Sequence, residues 1–152
     1  MKNDRLLMPV DEAYASSFGL AMLCFARLEA MAVYCHDALV PGSMFQASSK
    51  TAGRIASEFL QCAATHHDDA LQPQLVAAAA TFKELVEIRN SLCHSHPAMT
   101  ADRQQQLYRR GEFITIEEVD DAADSFAACE LILNNLFYGH LKPLEPRPPP
   151  KI

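Results

Sequence analysis

The segment Arg89-Asn90-Ser91-Leu92-Cys93-His94 holds the side chains best suited to chemistry in this sequence. An arginine can hold a phosphate or the charge that develops on it in a transition state, a histidine can pass a proton near neutral pH, and an asparagine can orient either one. Together Arg89, Asn90 and His94 suit cleavage of a phosphodiester. Asn90 and His94 are four apart and therefore share one face of a continuous helix, beside Arg89. Arg89 and His94 are five apart, about 140° on an ideal helix of 3.6 residues per turn, so they converge only if the arginine bends round or the helix loosens before Pro97. Arg89 also stands one turn beyond Phe82, Leu85 and Val86, where the apolar period expects a core residue. A guanidinium there must be paired or must line a cleft or interface, since an isolated buried charge costs several kcal/mol.

Those side chains need a frame. The 152 residues are enough for one continuous core and too few for two, and 49% hydrophobic with 21% charged residues is ordinary globular usage. Few aromatic residues, no Trp and abundant Ala, Leu and Met favour helices. Apolar residues at Leu20, Cys24, Leu28, Met31, Cys35 and Leu39 alternate steps of three and four, which predicts a first helix over Asp11 to Leu39, ended by Pro41-Gly42. Phe18, Met22, Phe25 and Val33 make that helix apolar on other sides as well, as expected of an element buried both in its own bundle and against a partner. Ser48 or Ser49 is expected to cap a second helix carrying Ala52, Ile55, Phe59 and Cys62. Pro73 suits the first turn of a third, which runs toward Cys93. Thr115 and Glu118 have capping-box spacing before a fourth, which stops ahead of Pro143. Residues 107–116 fit either a short helix stopped at Gly111 or a hairpin turning there. The expectation is an all-α fold: a compact bundle of four main helices with a short irregular or hairpin insertion before the last one. It forms one domain over 1–142, followed by a flexible Pro-rich tail over 143–152.

Other groups carry weaker signals. Glu29 interrupts an apolar helix and is a candidate for the same cleft, as is His96. Arg103, Arg109 and Arg110 could supply local positive surface for RNA, although a run of charges is usually a solvated face. His66, His67, Asp68 and Asp69, or Cys93, His94 and His96, invite a metal, but adjacent ligands rarely point at one ion, so no metal and no cofactor is expected. The net charge of −6 argues against a protein that coats duplex nucleic acid. Five cysteines without paired spacing read as reduced core residues. With no secretory leader pattern, and with Arg27 and Glu29 interrupting the most apolar stretch, a cytoplasmic protein that does not cross a membrane is expected.

The Arg89–His94 segment resembles the motif of HEPN domains, in which an arginine and a polar residue are followed by three residues and a histidine. A motif at the end of the third of four helices resembles their architecture too, over roughly Asp11 to Leu141. The resemblance implies a metal-independent endoribonuclease, of the kind found as the toxin of toxin–antitoxin systems and in phage defence, that works as a homodimer bringing two motifs together. It implies Arg89 at the scissile phosphate, Asn90 supporting the site and His94 in proton transfer, with single-stranded RNA cut to a 2′,3′-cyclic phosphate and a 5′-hydroxyl. Some domains of the family have lost catalysis, so the alternative is a helical module that binds a protein partner such as an antitoxin or regulator. The plainest reading of the same residues is structural: Arg89 paired with Glu29, and Asn90 and His94 capping their helix.

Overall fold

The computed structural model describes Asn3 and residues 11–142. The Pro-rich tail expected over 143–152 lies outside the described residues. Helix α1 (Glu12–Leu39) starts where Asp11 accepts hydrogen bonds from the backbone N–H groups of Ala13 and Tyr14, at 2.9 and 3.4 Å. It stops at Pro41-Gly42, where Gly42 takes φ +94°, a conformation open chiefly to glycine, and Asp37 accepts from the N–H of Gly42. A single turn, α2 (Met44–Ala47), follows. Helix α3 (Ala52–Ala64) is capped by Thr51, whose hydroxyl accepts from the Arg54 N–H, and not by Ser48 or Ser49. Helix α4 (Gln72–Cys93) has Pro73 in its first turn, as the sequence predicts. Helix α5 (Ile116–Leu136) opens with the expected capping box: Glu118 accepts from the Thr115 N–H at 2.7 Å, and the Thr115 hydroxyl accepts from the Glu118 N–H at 3.2 Å. A π-helical turn, Phe137–Leu141, continues it.

The main helices α1, α3, α4 and α5 therefore form the expected bundle. Helix α1 packs chiefly along α5, and α3 chiefly along α4. Phe59, Phe82 and Phe126 are fully buried at the centre. Phe25 of α1 stacks on Phe82 at 6.3 Å between centroids and meets Phe126 edge-on at 5.2 Å, joining three helices through one aromatic cluster.

Between α4 and α5 the chain forms a three-stranded antiparallel sheet of β1 (His96–Met99), β2 (Gln105–Arg109) and β3 (Glu112–Phe113), so the insertion is a hairpin with one further strand. Arg110 and Gly111, at φ +52° and +97°, make the two-residue turn between Arg109 and Glu112, the geometry that suits twisted strands. Pro97 is tolerated because β1 is an edge strand. Tyr14 ties the sheet to α1: its hydroxyl donates to the Ile114 carbonyl at 2.8 Å and accepts from the Leu107 N–H at 3.3 Å.

Two expectations need revision. Helix α1 is long and apolar enough to cross a membrane by length and composition, with a window of mean hydropathy 1.5, although core helices pass the same test and α1 buries Phe25, Leu28, Ala32 and Cys35 in the bundle. The five cysteines are all free, but only Cys35 and Cys129 are core residues, and Cys93 is exposed. Burial pushes the Cys35 thiol up to about 12 and that of Cys129 to about 11, so both stay protonated.

His36 is buried near the C-terminus of α1, with Nε2 3.5 Å from the Cys62 sulfur. Desolvation lowers its pKa, against the opposing pull of Glu58 and Asp37, while Lys50 lowers it further. A histidine whose folded pKa lies below its unfolded value binds its proton more readily in the unfolded chain, so stability falls as pH falls through the unfolded value. The melting temperature should therefore drop between about pH 7 and pH 5, and His36→Gln should flatten that slope. The depressed pKa of Glu58, caused first by its hydrogen bond from Lys50 and then by that from Arg54, affects stability only at more acidic pH.

Candidate functional site

Arg89 is placed by the last full turns of α4, and its guanidinium carbon lies 4.8 Å over the centroid of the Phe25 ring. The aromatic cluster thus provides a cation–π platform that fixes the arginine against the core. No ion pair reaches Arg89 from a carboxylate of the described residues, Glu29 included, and its Nε is buried without a hydrogen-bond partner. An unmet buried donor ordinarily costs about 1–3 kcal/mol, which the contact with the Phe25 ring offsets in part.

His94 is the first residue out of the helix, at φ −100° and ψ 8°. Helical hydrogen bonding persists up to His94, and Arg89 and His94 nevertheless border the same space. The N–H of His94 donates to the Asn90 carbonyl at 3.0 Å, closing the last turn through backbone atoms. The Asn90 amide and the His94 ring make no hydrogen bond within the described residues, so neither side chain is spent on capping. Ser95 does that instead, donating to the Ser91 carbonyl at 2.6 Å.

Arg89, Asn90 and His94 line one open cleft of about 540 Å³ together with Glu29, Lys50, Thr51, Ala52 and Gly53. The cleft is bounded by α1, the N-terminus of α3 and the C-terminus of α4. The structure therefore gathers four of the side chains singled out in the sequence. His96 is exposed at the start of β1, and Arg103 and Arg110 sit in the two turns of the sheet with Arg109 closing β2, so none of these four lines the cleft. Lys50 and the start of α3 are additional, and the sequence carries little sign of them beyond a lysine next to a helix cap. The Lys50 side chain is only 12% exposed, and its Nζ lies 2.6 Å from a Glu58 oxygen whose partner oxygen takes a hydrogen bond from Arg54 at 2.9 Å.

In chemical terms, the cleft presents two cations, one carboxylate, one imidazole and one amide, the last three without hydrogen-bond or ion-pair partners among the described residues. His66, His67, Asp68 and Asp69 lie instead in the α3–α4 connection, where Asp68 accepts from the N–H groups of Ala70 and Leu71 at 2.9 and 3.2 Å. Among the described residues no three His, Cys, Asp or Glu side chains converge as metal ligands. Comparison of the chain with protein-family models, with curated proteins and with solved structures finds no match.

Proposed function

We propose that the protein is an endoribonuclease of HEPN type that cleaves single-stranded RNA without a metal ion. The observation that carries the reading is the cleft that collects Glu29, Arg89, Asn90 and His94, in which, among the described residues, no ion pair reaches Arg89 and the side chains of Glu29, Asn90 and His94 have no hydrogen-bond partner. In the proposed reaction the Glu29 carboxylate takes the proton of the ribose 2′-hydroxyl, and O2′ attacks the adjacent phosphorus. The bond from phosphorus to O5′ breaks, and O5′ receives a proton from the imidazolium of His94. Arg89 balances the charge on the phosphoryl oxygens and Asn90 orients the phosphate. The products are a 2′,3′-cyclic phosphate and a 5′-hydroxyl end. Purified protein incubated with a diverse cellular RNA pool in EDTA should yield those ends, read by mass spectrometry of the fragments. No cleavage, or ends bearing 5′-phosphates, would leave the non-catalytic binding module as the better account.

In the same reading, the protein acts as a homodimer in the cytoplasm, as a toxin restrained by an antitoxin or as part of phage defence. Support for a second copy comes from the outward ridge of α1, where Leu23, Ala26, Ala30 and Tyr34 are exposed, Leu23 to 66% and Tyr34 to 42%. Ala26 and Ala30 border a cavity that shares Glu29 and Lys50 with the cleft, so a partner on this ridge would sit at the mouth of the site. Leu131 of α5, 58% exposed, lies beside Cys24 and Arg27 of α1. Light scattering should give a dimer for the natural chain and a monomer for Leu23→Glu, with the helical circular dichroism unchanged in both.

A further inference from the structure

A second groove, of about 200 Å³, lies between α1 and α5, lined by Cys24, Arg27, Ala127, Glu130 and Leu131, and it shares no residue with the cleft. The Glu130 side chain is only 10% exposed and accepts no hydrogen bond from the described residues. Its one ion partner among them is Arg27, 3.6 Å away and itself 75% exposed. A carboxylate taken that far out of water needs a close cation and hydrogen bonds to its remaining lone pairs, and a distant, solvated guanidinium supplies little of either. The rim of the groove is apolar. Leu131 is exposed on α5, and Leu20, one turn before Cys24 on the same side of α1, is 57% exposed.

Helix α5 carries the same sign beyond the groove. From Ile116 to Leu136 it has six acidic residues and no lysine, arginine or histidine. Glu117 and Glu118 sit in the first turn, where the positive end of the helix favours them. Asp121 and Asp124 lie past that turn and are exposed, with Leu131 two turns beyond Asp124 on the same outward side. No ion pair reaches either aspartate from the described residues. Like charges three and four apart repel, so Glu117 with Asp121, Asp120 with Asp124 and Asp121 with Asp124 all work against the helix. Neither the cap nor the packing of α5 accounts for this arrangement, and cations brought by a partner would relieve it.

Charge decides which partner fits. A second copy brings another α5 and a net charge of −6, so two of these faces would meet acid against acid. We propose that the groove between α1 and α5 docks a basic amphipathic helix of another protein. A lysine or arginine of that helix enters the groove to pair with Glu130, its aliphatic residues cover Leu20 and Leu131, and further basic residues follow Asp121 and Asp124. In this mode of recognition the apolar stripe of the incoming helix gives affinity, and the flanking charges give the choice of partner. The inference stands apart from the ribonuclease reading, since it uses no residue of the cleft.

The probe is a synthetic peptide of about 20 residues, long enough to form a helix, made of Leu, Ala and Lys with Leu at three- and four-residue steps. Its twin carries Glu in place of every Lys. Fluorescence anisotropy with the full chain should show saturable binding of the Lys peptide and none of the twin. Glu130→Gln should weaken binding on the order of tenfold without lowering the melting temperature, because the amide keeps the shape and no longer buries a charge. Leu131→Ser, at an exposed position, should weaken it several-fold with the fold intact. Asp121→Asn combined with Asp124→Asn should weaken it and make the affinity less sensitive to salt. Glu84→Gln removes the same charge from the exposed side of α4 and should leave binding unchanged. A loss with Glu84→Gln as large as that with Glu130→Gln would show attraction to the acidic surface as a whole and overturn the proposal. Binding of the twin, or no binding of the Lys peptide at about 1 mM, would overturn it too. Two results would assign the groove to another occupant and equally overturn it. A dimer of the natural chain that Leu131→Ser turns into a monomer gives the groove to a second copy, and Arg5→Glu that by itself strengthens peptide binding gives it to the chain's own residues 1–10.

Discussion

Replacing His94 by Ala should lower the rate of RNA cleavage by roughly 100- to 10,000-fold, the range supplied by a positioned proton donor. The melting temperature should hardly change. His94 is exposed at the C-terminal cap of α4 and contributes to the fold through its backbone N–H, which Ala retains. Exposed substitutions of this kind usually alter stability by less than about 0.5 kcal/mol. Glu29→Gln provides the complementary measurement, since it removes the proposed base and preserves shape. If each single variant loses most activity and the double variant loses little more, the two groups act as one unit in the same step. Cleavage by His94→Ala at the natural rate would end the catalytic reading whatever Glu29 does.

The frame of the molecule was legible because its signals are local. The Thr115–Glu118 box, Pro73 in a first turn and the stop at Pro41-Gly42 each reflect chemistry confined to a few residues, and each appears as expected. The second helix shows the limit of that reasoning. Four residues in a row, Ser48, Ser49, Lys50 and Thr51, precede it, and three of them have capping side chains. Which one caps depends on where α2 ends and on the pairing of Lys50 with Glu58, a contact that needs the first two turns of α3 to be formed. The strand β1 was illegible for a similar reason. His96–Met99 contains a proline and no alternation of polar and apolar residues, and it becomes a strand because β2 offers it an edge.

The site was legible on one wall only. Arg89 could be singled out because it interrupts the apolar period of its helix, and the structure accounts for the interruption through the face of Phe25. The opposite wall comes from residues 50–53, which are remote in sequence and unremarkable in type; they border the cleft because α3 begins there, which only the packing of the helices decides. Conversely, Arg103, Arg109, Arg110 and His96 are conspicuous in sequence and stand outside the cleft, since the sheet carries them into its strands and turns.

Phe25 is where stability and function meet, and Phe25→Ala should produce the largest loss of stability among the variants considered. The ring is 4% exposed and touches Phe82 and Phe126, so its removal opens a cavity between three helices at a cost of about 3–5 kcal/mol. Against a total stability of about 5–15 kcal/mol for a domain, that is enough to leave part of the population unfolded at 37 °C. Denaturant unfolding should show the midpoint fall with the slope unchanged. Because an unfolded enzyme is inactive for trivial reasons, the functional arm needs a gentler change. Phe25→Leu fills most of the volume and removes the aromatic face beneath Arg89, while Phe126→Leu damages the same cluster without touching the arginine. The cation–π contact is worth about 0.5–2 kcal/mol, so under conditions where both variants are folded Phe25→Leu should cleave RNA several-fold more slowly than Phe126→Leu. Equal rates in the two would show that Arg89 holds its place without the ring, and the unmet Nε would then need another explanation than a guanidinium pinned in readiness for phosphate.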